Sequence, residues 1–234
     1  MKRQKDVIIY GIGQHADVVQ YYFESNLKRN VIAFTIDFKC EAENKNNLPI
    51  VQLNDLELKY DKLSTEVFIA VGGIGLNLIR QYYFEKIKEM GFVMTNCISK
   101  SVKIPKNAKF GSNCFIDDHS RFSPFIEIGD NFSTFDTVVG HHSIINNNVT
   151  TIGCTIGANV NIGDNCFIGI NASVNSGVNI GEFSLIDVGS IVKKDIPPYS
   201  VVSAAASDRR NIDARRVNLL GISYKHFKEL KKIT

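Results

Sequence analysis

Apolar residues recur every six positions between residues 104 and 192, and no other feature restricts the fold of this chain as tightly. Ile104, Phe110, Ile116, Phe122 and Ile128 form one run. Ile156, Ile162, Ile168, Val174, Ile180, Ile186 and Val192 form another. A six-residue period matches neither a helical turn nor the alternation of a strand. It suits one flat face of a parallel β-helix, in which each coil stacks on the last. The repeated Ile or Val points inward onto its equivalents, and the Gly or Asn that often follows turns the corner. A single coil cannot bury its own apolar face, so many must stack in series.

The two runs are out of phase. Ile128 and Ile156 are 28 residues apart, where a strict repeat needs 24 or 30. An interruption of the coil is expected between them. That interval holds Gly140-His141-His142-Ser143, the only adjacent histidines in the chain. A loop or irregular rung that lifts reactive side chains off a rigid scaffold is a common way to build a site. Chemistry is therefore expected here first.

Composition narrows the rest. The 234 residues suffice for two modest domains. A net charge of +3 is too small for a nucleic-acid surface. No apolar run reaches the roughly 18 residues of a membrane span, and residues 7–10 are too short for a signal-peptide core. Cys40, Cys97, Cys114, Cys154 and Cys166 are odd in number and lack CxxC spacing. Cys114, Cys154 and Cys166 lie on the repeat and are expected to pack as buried thiols. A reduced, cytoplasmic location is expected, and no metal site.

Residues 6–10 read as a strand that runs into Gly11-Ile12-Gly13-Gln14-His15-Ala16, after which Val18, Val19, Tyr22 and Phe23 follow a helical pattern. In such a turn Gly11 and Gly13 let the backbone approach a phosphate, and the helix N-terminus attracts the anion. The third glycine of the full dinucleotide fingerprint is absent, so the turn also fits a plain tight connection. His15 is expected to serve this turn through its backbone. A second strand, 31–36, ends at Asp37, where an acid either binds a ribose or base edge or caps a turn. Residues 39–47 read as a loop, and 48–51 and 66–71 as strands. A helix over 76–90 carries Ile79, Tyr83, Ile87 and Met90 on one face and stops at Gly91. Alternating strands and helices imply a small, Rossmann-like parallel sheet, sized for one nucleotide. The expected domains are 1–98 for this sheet, 99–200 for the coil and 201–234 for a tail. In the tail, Val217, Leu220, Tyr224, Phe227 and Leu230 recur at helical spacing among lysines. Such a helix caps the open end of a coil or, less in keeping with this chain, lies on a membrane.

The GxGxHA turn, the acid after the second strand and a coil with a histidine near its middle resemble sugar acetyltransferases of the sialic acid O-acetyltransferase type. Within that group the chain is most similar to N-acetyltransferases that modify nucleotide-linked 4-amino sugars for surface glycans. The resemblance rests on Val139-Gly140-His141-His142-Ser143 and on the stretches 159–171 and 189–197. It implies a left-handed β-helix, a homotrimer with active sites between subunits, acetyl-CoA as co-substrate and a nucleotide sugar as acceptor. The nucleotide would lie near Gly11, Gly13, Gln14, His15 and Asp37. Ala158, Ile170 and Gly189 would line the acetyl-CoA groove.

The resemblance aligns the family's catalytic histidine with His141. A histidine titrating near neutrality can take the proton of an attacking amine or hydroxyl. Relatives often place an orienting acid next to it, and here His142 stands there as a second active-site candidate. The orienting partner stays open between Asp136 and an acid of a neighbouring chain. The second histidine common in relatives is replaced by Thr150-Thr151, and the tail motif by Ser203-Ala204-Ala205-Ala206. The expected activity is acetyl-CoA-dependent N-acetylation of a nucleotide-linked amino sugar in bacterial surface glycan synthesis, with sugar O-acetylation as the alternative. A non-catalytic sugar-nucleotide-binding protein is a third reading. Zinc held by His119, His141 and His142 is disfavoured, because adjacent residues of an extended rung project in different directions.

Overall fold

Two kinds of sheet make up the computed structural model, which describes residues 5–73 and 75–205. The first has six strands: β1 (Asp6–Tyr10), β2 (Val31–Ile36), β3 (Asn44–Lys45), β4 (Leu48–Gln52), β5 (Thr65–Ile69) and β6 (Val93–Met94). Their order is β3-β4-β2-β1-β5-β6. The sheet is mixed, not purely parallel as expected. Asn46 and Asn47 take positive φ (50° and 64°), which turns the end of the expected 39–47 loop back so that Asn44–Lys45 pairs antiparallel with β4 as an edge strand. From β1 the parallel strands step outward to β2 and β4, then continue on the other side with β5 and β6. The switch point therefore lies between β1 and β5, where open α/β sheets bind ligands.

Helices α1 (Gln14–Tyr21), α2 (Leu56–Lys59) and α3 (Leu78–Glu89) connect these strands. One sheet face packs Ile8, Val67 and Ile69 against Leu53, Leu56, Phe84 and Ile87. The other packs Val7, Ile9 and Phe68 against Ala16, Val19 and Phe23 of the α1 region, and against Cys97 and Phe115 of the coil. The coil thus occupies part of a layer that a helix covers in a larger domain. The buried face of α3 differs from the expected one. Arg80, Phe84 and Ile87 are buried while Ile79 is 43% exposed. Ile87 is buried as expected, whereas Arg80 and Phe84 take the places expected of Ile79 and Tyr83, with Arg80 donating to coil carbonyls.

The second kind of sheet forms the three faces of a left-handed parallel β-helix. The first face stacks Arg121–Phe122, Val138–Val139, Thr155–Ile156, Ser173–Val174 and Ile191–Val192. The second stacks Lys109–Phe110, Glu127–Ile128, Ile144–Ile145, Asn161–Ile162 and Asn179–Ile180. The third runs from Cys97–Ile98 through Phe115–Ile116, Ser133–Phe135, Thr150–Ile152, Phe167–Ile168 and Leu185–Ile186 to Val201–Val202. Inward residues such as Ile145, Ile162 and Ile186 are at most 1% exposed, as the repeat requires.

The phase break is not a loop. The inward series runs Ile128, Thr134, Val139, Ile145, Thr151, Ile156, with two five-residue steps, from Thr134 to Val139 and from Thr151 to Ile156. Both fall on the corner between the third and first faces. Thr134 and Thr151 hide the repeat because they are polar. Inside the coil they satisfy each other, Thr151 Oγ1 donating to Thr134 Oγ1 at 2.8 Å. His141 and His142 sit on an ordinary six-residue step, so the expected coincidence of histidines and interruption is corrected.

Corners between the second and third faces carry Asn113, Asn131, Asn148 and Asn165, all with φ between 56° and 61° and all buried. Asn113 Nδ2 donates to Asn131 Oδ1 at 2.7 Å, and Asn131 Nδ2 to Asn148 Oδ1 at 2.8 Å. Asn tolerates this left-handed backbone, and its amide satisfies the next coil. Glycine after the inward residue has another purpose than the expected turn. A Cβ on Gly140 would lie 2.5 Å from the backbone of Gly157 on the next coil. Gly permits close stacking there. The amphipathic pattern at 217–230 lies outside the described residues.

Candidate functional site

A pocket of about 500 Å³ opens at the switch point. Gly11 turns the chain with φ 106°, and a Cβ there would meet the carbonyl of Ala70 at 3.1 Å. Gly13 caps α1 with no side chain, and nothing crowds it. Gln14 and His15 complete that wall, with Ile79 and Tyr83 of α3 opposite. Two of the side chains expected on the buried face of α3, Ile79 and Tyr83, thus line the pocket. Tyr83 stacks on Tyr10 with ring centroids 4.2 Å apart. Burial, and then Tyr83, push the Tyr10 phenol up, so it stays protonated. Asp37 follows β2 as expected, but its Oδ2 accepts from Lys86 Nζ of α3 at 2.7 Å. Phe38, not Asp37, lines the pocket directly.

The His15 side chain packs against the coil, in addition to its place in the glycine turn. Its ring meets Phe115 and Phe135 edge-on, at 5.2 and 5.8 Å, so it faces the coil. Burial, and then the charge of Arg80, push its pKa down to about 4. His15 is neutral at pH 7. With Gln14 and Gly72 it also borders a second pocket of about 290 Å³. Phe135, Ile152 and Phe167 wall this one on the coil side, and Arg80 of α3 also lines it. Phe135 and Ile152 stand on the two shortened corners, so the phase break shapes this pocket. Sequence reasoning missed these residues. The unexplained 28-residue interval was the signal that could have pointed to them.

His141 and His142 occupy the turn between the first and second faces, both exposed. Their Nδ1 atoms are 3.0 Å apart. His142 has φ 57°, donates its N–H to Pro124 O at 3.3 Å, and stacks on Phe125 with ring centroids 4.8 Å apart. The backbone carbonyl of His141 accepts from Asn159 N at 2.9 Å. Asp136 is not the orienting partner within the chain. It sits on the corner between the third and first faces, where its N–H donates to both oxygens of Asp117.

One chain does not bring these groups together. The glycine turn packs against the third face, whereas His141 projects from the corner between the first and second. Ala158 lies above His141 on the next coil, its N–H donated to Ser176 Oγ at 3.0 Å. Ile170 and Gly189 stack on the corner between the third and first faces, where Gly189 N donates to Ile170 O at 2.8 Å. Among the described residues no three His, Cys, Asp or Glu side chains converge as a metal set. Cys114, Cys154 and Cys166 are buried thiols whose pKa values burial pushes up to about 12, 11 and 11. Burial and a raised pKa are what packing thiols show. No helix among the described residues is long and apolar enough to cross a membrane.

Residues 6–87 match the PglD N-terminal domain family. Among curated proteins, the bifunctional protein GlmU of Wolbachia pipientis wMel is 28% identical over 125 residues, 47% of this chain and 29% of GlmU. The chain spans less than a third of the length of the first curated relatives it matches. Two solved structures align over most of the chain. One is a mutant of perosamine N-acetyltransferase from Caulobacter crescentus with CoA and GDP-perosamine (21% identity, TM-score 0.76, 86% of this chain and 97% of that one). The other is the acetyltransferase domain of PglB from Neisseria gonorrhoeae FA1090 with acetyl coenzyme A (18% identity, TM-score 0.74, 85% and 95%). At these identities the likeness is one of fold.

Proposed function

We propose that this chain is an acetyl-CoA-dependent N-acetyltransferase of a nucleotide-linked amino sugar serving bacterial surface glycans, with His141 as general base. The observation that carries the reading is the paired Nδ1 atoms of His141 and His142, 3.0 Å apart. To accept a proton through Nε2, neutral His141 must hold its own proton on Nδ1. A partner must then accept that Nδ1–H. His142 Nδ1 is that partner, in the place of the family's acid, and Phe125 fixes the His142 ring. Acetyl-CoA supplies the acetyl group as a thioester. The sugar amine attacks its carbonyl, a C–N bond forms and the C–S bond breaks. His141 takes the amine proton and returns it to the departing thiolate.

The glycine-turn pocket fits a nucleotide at a sheet switch point. The CoA- and GDP-perosamine-bound structures of similar fold support the two substrates. Ala158 on one corner and Ile170 with Gly189 on another would meet across a groove between two chains, and a homotrimer would supply three such grooves. The neighbour's His141 would then approach the acceptor held by this chain.

Thiol release from acetyl-CoA, measured with UDP-, dTDP-, GDP- and CMP-linked amino sugars, tests the reading. Turnover with at least one amino sugar is expected, lost in His141→Ala while light scattering still reports a trimer. Acetylation of sugar hydroxyls alone, or unchanged turnover in His141→Ala, would overturn it.

A further inference from the structure

Two arginines are buried in the sheet half, and they are handled differently. Arg29, 9% exposed, pairs with Glu66 at 2.8 Å. Arg80 is 2% exposed, and among the described residues no carboxylate pairs with it. Its donors go to neutral acceptors: Asn131 O at 3.1 Å, Thr150 Oγ1 at 2.9 Å and, more distantly, Val149 O and Val71 O. Its Nε has no partner. One turn earlier Asn77 Nδ2 donates to Asn148 O at 2.6 Å and Cys166 O at 3.2 Å, and Asn77 Oδ1 accepts from Thr150 at 2.7 Å. The end of α3 is thereby bonded to three successive coils.

A buried charge without a counter-charge is a large desolvation penalty, so its placement asks for a reason. Gly72 borders both pockets, and Gly73 approaches Phe167 so closely that a Cβ would lie 3.3 Å from its ring. Within this loop only Val71 has a side chain, packed on the sheet core, while Gly72 and Gly73 have none with which to hold the backbone against the coil. Arg80 reaches from α3 to the carbonyl of Val71 at the start of the loop and to the coil behind it. A planar fork of five donors can bridge both, which a single ammonium or an apolar side chain cannot.

We infer that Arg80, braced by Asn77 and Thr150, is a positioning residue that sets the glycine loop at residues 71–73 against the coil and so fixes the acceptor pocket. The link to the acceptor rests on the function proposed above, whereas the link to the loop does not. The test uses Arg80→Met, Arg80→Lys and Thr150→Val in the full chain. Thr150→Val removes the hydroxyl shared by Arg80 and Asn77 while keeping shape and charge.

Amide exchange at residues 71–73 is expected to rise about tenfold in Arg80→Met and about threefold in Thr150→Val. The acceptor KM should rise by similar factors, with kcat and the acetyl-CoA KM within about twofold. Arg80→Lys should recover part of the loss. By NMR, the His15 midpoint should rise from about 4 in Arg80→Met and stay in Thr150→Val. Exchange that rises evenly over the sheet domain, or acetyl-CoA KM moving as far as acceptor KM, would reduce Arg80 to a fold support and overturn the inference. If Arg80→Met does not fold, Thr150→Val decides alone. If the wild type acetylates no sugar nucleotide, the proposed function fails and the exchange pattern still decides the clamp.

Discussion

The coil and the sheet domain are held together in different ways. In the coil, backbone N–H groups donate to the carbonyls of the next coil, as Gly140 N does to Ile156 O at 2.9 Å. Inward residues repeat, so stacking and the repeated asparagine bonds set register. Among the described residues, Lys109–Glu127 is the one ion pair within the coil. The sheet domain holds Arg29–Glu66, Lys45–Asp17, Lys62–Glu57 and Lys86–Asp37. Its strands do not repeat, and individual polar bonds fix where each helix sits. The coil therefore spreads its stability over many equivalent layers, which leaves its corners free to carry chemistry. The sheet domain concentrates its stability, so a change beside its pocket alters the pocket.

The sharpest test of that contrast is the exposed corner itself. His141→Ala should lower turnover by about 10²- to 10⁴-fold, the usual range for a lost general base. The unfolding temperature should stay within a degree or two, because His141 bears no packing load. A large fall in melting temperature, read by differential scanning fluorimetry, would break the separation of scaffold and chemistry. Ile162→Ala probes the opposite property. Ile162 is fully buried between Ile145 and Ile180. Its truncation should cost about 2–5 kcal/mol in denaturant unfolding. A cost under about 1 kcal/mol would mean that the coil relaxes around a cavity, and that its rigidity is overstated.

The same contrast governs what could be read from the sequence. The coil was legible because one physical demand, an inward apolar residue, recurs at fixed spacing. It became illegible only at Thr134 and Thr151, where two hydroxyls satisfy each other and mimic a gap in the pattern. The glycine turn was legible through the known demands of a strand-to-helix turn on Gly11. Arg80 was not, since a charged residue on a helix reads as solvated, and only coil carbonyls more than fifty positions away turn it inward. On α3 Ile87 was placed correctly, but Arg80 and Phe84 are buried where Ile79 and Tyr83 were expected. His15 looked like part of a turn because Phe115 and Phe135, which face its ring, belong to the distant coil.

His15 also links the two regions through pH. Its folded pKa is depressed to about 4, below the usual 6.5 of an unburied histidine. Below pH 6.5 the unfolded chain binds a proton that the folded chain refuses. The stabilisation is complete above pH 6.5 and is lost as pH falls through the folded value near 4. The loss should be on the order of 2 kcal/mol for this partly covered ring. Urea unfolding at pH 7 and pH 4.5 measures it, and His15→Phe should flatten the difference. A slope unchanged in His15→Phe would place the acid sensitivity elsewhere and leave the coil–sheet contact indifferent to His15.

The smallest expected effect concerns Asp37 and Lys86, whose half-exposed pair spans the β2 end and α3. Asp37 holds the Lys86 amine above its usual range, so the pair persists through neutral pH. Screening by water limits its worth to about 0–1 kcal/mol, so Lys86→Met should hardly change unfolding. Its effect on binding separates two roles for Asp37. If the carboxylate is there to receive a ribose hydroxyl, Lys86 competes for the same oxygens. Lys86→Met should then tighten a nucleoside diphosphate by about two- to fivefold in calorimetry, and Asp37→Asn should weaken it. If the pair only pins α3 to the sheet, both variants should weaken binding alike. The polar bonds of the sheet domain would then position the pocket without touching what enters it.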